Sequence, residues 1–117
     1  MRTTLLLTWL LLWSGLHAQQ RTNMNDQIKA TEVAVWDTYV TRKDGRVMHF
    51  DIIAPSSQRD TAVIHGYGRA YLERKGEGGQ PLTAKECRFC HVRKLHLQWE
   101  ADIRRQGYFI LEMEHCD

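Results

Sequence analysis

The stretch ECRFCH, residues 86–91, holds the side chains whose types and spacing most readily suggest chemistry. Cys87 and Cys90 are three residues apart, and His91 follows at once. Two thiolates at this spacing can grip one tetrahedral ion, and a structural site needs two further ligands. Cys116, near the chain end, is a third thiol. His91, His115 or His49 could complete the set, although His91 adjoins Cys90 and has limited reach to the same ion. Zinc is the metal that such a site implies.

Other chemistry fits the same residues. An odd count of three cysteines cannot pair fully within one chain, so the thiols could also be small apolar fillers, or two could close a disulfide. A redox dithiol at Cys87 and Cys90 would need nearby cations to lower a thiol pKa, and Arg88, His91, Arg93 and Lys94 are available. Against it, the chain lacks the βαβ pattern of thioredoxin-like proteins. Cys-x-x-Cys-His is also the literal c-type haem attachment motif, with Met48 or Met113 as a conceivable axial ligand. A domain this small leaves little room to bury a porphyrin.

The elements that must position these residues begin with a hairpin. VAVWDTYV (33–40) and RVMHFDIIA (46–54) are rich in β-branched and aromatic residues, and Lys43-Asp44-Gly45 joins them. A three-residue loop with glycine in the left-handed position sets Arg42 opposite Arg46. One face then carries Ala34, Trp36, Thr38, Val40, Met48, Phe50, Ile52 and Ala54, an apolar surface for a core. On the other, Asp37 sits opposite Asp51 and Tyr39 opposite His49. Facing carboxylates repel, so this second cluster calls for a protonated His49, a borrowed cation or a bound ion. It could also act as a weak hydrolase-like base, but no nucleophile motif accompanies it.

Pro55 stops the second strand, and Ser56, Ser57 and Asp60 offer helix caps. Residues 60–75 are helical in spacing through Val63, Tyr67, Ala70 and Tyr71, with Gly66 and Gly68 suited to close packing on the sheet. GEGGQP (76–81) is a loop without the Gly-Lys-Ser/Thr of a phosphate cradle. Residues 95–106 show Leu95, Trp99 and Ile103 on one side of a second helix, Gly107 is its natural cap, and YFILEME (108–114) closes as a strand. The expected fold is α+β: a small antiparallel sheet of hairpin plus C-terminal strand, two helices packed on one face, in the order ββααβ. Trp36 and Trp99 are packing anchors, and His65 and His96 are surface or edge residues.

The first eighteen residues differ from the rest. Arg2, the apolar run from Leu5 to Trp13 broken by Thr8, and an exit ending in Ala18 form the three parts of a signal peptide, with an apolar run too short to span a bilayer. Residues 19–32 read as a linker and 33–117 as one domain. A genuine leader implies export to the periplasm or medium; a start at Met24 would leave the protein cytoplasmic. Arg2 and Arg21 are the only charged side chains before Met24, and without them cations balance the 14 acidic residues. A neutral domain lacks the basic footprint of a nucleic-acid binder.

VAVWDTYVTRKDGRVMHFDII, GEGGQPLTAKECRFCH and GYFILEMEHC together resemble the short bacterial proteins grouped as domain of unknown function 2024, across residues 33 to 117. DTYV, DGxVMHFD, ECRFCH and the terminal acidic-x-Cys carry the likeness. It implies a compact α+β domain with no assigned activity. Members usually begin close to the first strand, so the leader is a departure, and His115 stands where glycine is more typical. These readings point to a small non-enzymatic metal-binding or interaction module, with a thiol redox protein as the alternative.

Overall fold

The computed structural model describes residues 32–117. The leader and almost all of the linker lie outside the described residues. Strand β1 (Glu32–Thr41) and strand β2 (Val47–Pro55) form the expected hairpin. Every expected pair is present, including Asp37 with Asp51 and Tyr39 with His49. The turn explains this register. Arg42 N donates to Arg46 O at 2.7 Å, Asp44 Oδ1 accepts from Arg46 N at 3.0 Å, and Gly45 takes φ +89°, which any Cβ would oppose.

Helix α1 (Thr61–Arg74) starts where Asp60 Oδ1 accepts from Ala62 N at 3.0 Å. Its buried stripe is Ile64, Gly68, Tyr71 and Leu72, rotated slightly from the stripe expected through Val63 and Ala70. A Cβ on Gly68 would meet Leu82 Cδ1 at 2.5 Å and Ile52 Cδ1 at 3.1 Å, so the glycine lets the helix sit close to the sheet. Strand β3 (Cys87–Lys94), helix α2 (Leu97–Gln106) and strand β4 (Phe109–Glu114) follow. Gly107 caps α2 at φ +96° as expected.

The fold is α+β, with two corrections to its details. The sheet has four antiparallel strands in the order β3-β1-β2-β4, because the ECRFCH stretch is itself a strand on the outer edge of β1, giving ββαβαβ. The two helices also lie on opposite faces. Helix α1 packs on Ala34, Trp36, Met48, Phe50 and Ile52. Trp99 and Ile103 of α2 pack on Val33, Val35 and Ile53 from the other side. The reason is connectivity. The chain between β3 and β4 must travel from one sheet edge to the other, and ten helical residues span about 15 Å, close to the roughly 14 Å across four strands. With one face taken by α1, the crossing uses the other.

That crossing covers only the end of the sheet where β1 begins. The turn end of the same face, with Asp37, Tyr39, His49 and Asp51, stays open. His115 has φ +52°, a left-handed conformation that glycine adopts without the steric cost a Cβ brings.

Candidate functional site on the open half of the sheet

Strand alternation places Asp37, Tyr39, His49 and Asp51 on one face, and the register makes them direct neighbours. His49 Nε2 donates to Asp37 Oδ1 at 2.6 Å and lies 3.9 Å from Asp51 Oδ1. The Tyr39 ring stacks on His49 with centroids 4.2 Å apart, fixing the imidazole plane. Asp51 is the more enclosed carboxylate, its side chain 15% exposed against 35% for Asp37. Burial pushes the Asp51 carboxyl above its usual value, the Asp37 charge adds to this, and His49 partly opposes it. The Tyr39 phenol is also raised, by its packing and then by the charges of Asp37 and Asp51.

Among the described residues, Asp37, His49 and Asp51 are the one group of three potential metal ligands whose ligating atoms lie within 4.8 Å of one another. Ligands bonded to a zinc-like ion at about 2.0–2.2 Å stand roughly 3–4 Å apart around it. Closing this set on an ion therefore needs only small side-chain rotations. Two carboxylates and an imidazole are hard-to-borderline donors, suited to zinc, manganese or iron(II).

Both edge strands are irregular beside the cluster. The β1–β3 ladder shifts between Val35 and Trp36, leaving Cys90 as an extra residue, and the β2–β4 ladder shifts between His49 and Phe50, leaving Met113. Bulges re-aim side chains and are common near functional sites. After the first bulge, His91 lies opposite Val35 on the open face, where its charge favours ionised Asp51. Arg88 lies opposite Asp37.

The thiols do not share a site. Cys87, opposite Thr38, is 2% exposed in the core beneath α1. Cys90 is exposed on the edge strand. Extended backbone sets positions three apart with Cα atoms roughly 10 Å from one another, against about 4.4–6.8 Å for a disulfide. Burial raises the Cys87 thiol pKa, partly offset by a hydrogen bond with Thr38, opposite to the lowering that a nucleophilic thiol requires. Cys116, 6% exposed, donates to the carbonyls of His49 and Glu114 at 3.3 Å each. His115 Nδ1 is engaged with the carbonyl of Val47 at 3.1 Å. The extended backbone at 87–94, a strand that the expected order ββααβ did not include, separates these residues. Its one legible trace was the aromatic Phe89 and the β-branched Val92.

Fold and site together define a small α+β domain with a carboxylate–imidazole cluster on a half-covered sheet face. The chain belongs to the family called domain of unknown function (DUF2024), whose pattern matches residues 31–113. It is similar to protein NE1680 of Nitrosomonas europaea, known from an NMR structure, with 41% identity, a TM-score of 0.63, and coverage of 74% of this chain and 99% of that one. No curated protein matches it. Among the described residues, no helix is long and apolar enough to cross a membrane.

Proposed function

We propose that the domain is a non-enzymatic metal-binding module that holds a zinc-like divalent cation on its sheet face, through Asp37, His49 and Asp51. The observation that carries this reading is the convergence of two facing carboxylates and an imidazole, with the nearer charges left to neutralise one another. A divalent ion would relieve the Asp37–Asp51 repulsion and displace the proton on His49 Nε2. Tyr39 and His91 would border it. With three protein ligands, the ion keeps open positions for water or a small ligand.

Native and denaturing mass spectrometry of the full chain, purified from its host and then reloaded with zinc or manganese, tests this. The expected result is a metal mass lost on denaturation, together with thermal stabilisation. An ion at a hundredfold excess over its Kd adds about 2.7 kcal/mol, on the order of 10 °C for a domain of this size. Asp51→Asn and His49→Ala should each abolish both effects, while Cys87→Ser and Cys90→Ser leave them. Loss of binding in the cysteine variants alone would move the site to the thiols. No binding of either metal would end the proposal.

A further inference from the structure

Strand β3 lies first in the sheet, so among the described residues one side of its backbone has no strand partner. Seven of its eight residues are exposed. A free edge of this length usually invites pairing with another chain unless charge discourages it. Here the side chains are sorted by face. Phe89, opposite Trp36, and Val92, opposite Ala34, project on the α1 side and are 44% and 36% exposed. Arg88, His91 and Arg93 project on the other side, and Lys94 ends the strand. No acidic residue occurs between Cys87 and Lys94.

Phe89 is held in place. Phe89 packs edge-on against Trp36 with centroids 5.7 Å apart, and the Arg59 guanidinium lies 5.1 Å above its ring. Less ordering is therefore left for an incoming strand to impose.

We propose that the outer edge of β3 receives an extended segment of a partner protein as a fifth strand, and that this segment alternates apolar with acidic residues. Its apolar side chains would cover Phe89 and Val92 while its carboxylates face Arg88 and Arg93. Main-chain bonds give such additions their affinity, and alternate side chains give their selectivity. A second copy of β3 is a poor occupant, because symmetric antiparallel pairing sets Arg88 of each copy against Arg93 of the other. The opposite edge, β4, carries Glu112 and Glu114, but Glu112 is already held by Tyr71 at 2.5 Å and Lys75 at 2.8 Å. An acidic strand from another protein fits better.

The test uses the full chain, isotope-labelled, and a blocked octapeptide alternating valine with glutamate. A lysine-for-glutamate peptide and a single-stranded oligonucleotide serve as controls. The expected result is binding of the glutamate peptide with new amide-exchange protection along β3 and none along β4. Affinity for the lysine peptide should be at least tenfold weaker. Arg88→Glu combined with Arg93→Glu, both at exposed positions, should weaken glutamate-peptide binding tenfold or more with the folded spectrum retained. Three results would overturn the proposal: no protection on β3 at millimolar peptide, oligonucleotide binding as tight as the peptide's, or doubling of the mass with β3 protected in the absence of peptide. The last would make a second copy the occupant.

Discussion

Asp51 concentrates the tension in the open face. Its folded pKa is raised, so the native state holds its proton more tightly than the unfolded chain does. The resulting stability is fully present below about pH 4, the ordinary carboxyl value, and is lost as pH rises through the folded pKa. At neutral pH the ionised group is a net cost. Asp51→Asn should therefore stabilise the metal-free protein at pH 7 by up to about 1 kcal/mol, with the gain fading as pH falls through the raised folded pKa toward 4. Urea melts in chelator at pH 7 and pH 3.5 measure it. Destabilisation at both would show that the carboxylate is needed as a hydrogen-bond acceptor. This pair was legible from the sequence because a glycine-containing three-residue loop fixes the register of everything beyond it. The fate of the thiols was not, because a Cys-x-x-Cys in a turn can converge and one in a strand cannot.

Elements were legible where a strong period or a stop signal marked them. Trp99 and Ile103 of α2, its Gly107 cap and the closing strand are all found in place. Strand β3 escaped because seven of its eight side chains face solvent and a bulge breaks its alternation, so no buried period survives to be read. Helix α1 shows how glycine spacing acquires meaning only with its neighbours. At Gly66 a Cβ would meet nothing within 4 Å, while at Gly68 it would press on Leu82 and Ile52. Gly66→Ala should stabilise by about 0.5–1 kcal/mol through helix propensity. Gly68→Ala should instead cost about 1–2 kcal/mol, since overpacking outweighs the same propensity gain. Chemical denaturation of both variants decides it, and equal effects would mean that Leu82 simply moves aside.

Across the whole molecule, the α+β class followed from the order of elements, but the placement of the helices did not. Which face a crossing helix takes depends on what already occupies the other, and that is a property of the assembled sheet. The central position of the β1–β2 hairpin has a kinetic consequence. Its pairing is the most local in the sheet, and hairpins form in about 1–10 μs, whereas β3 and β4 reach it through long connections. The hairpin is thus the natural nucleus onto which both outer strands zip. Gly45→Ala, which forces a Cβ into a left-handed turn, should mainly slow refolding. Val92→Ala on the outer strand should mainly speed unfolding. Stopped-flow chevrons separate the two, and a Gly45→Ala effect confined to the unfolding limb would place the nucleus elsewhere. The last strands to lock would then be the first to open, so the edge offered to a partner is also the part of the native sheet that detaches most readily.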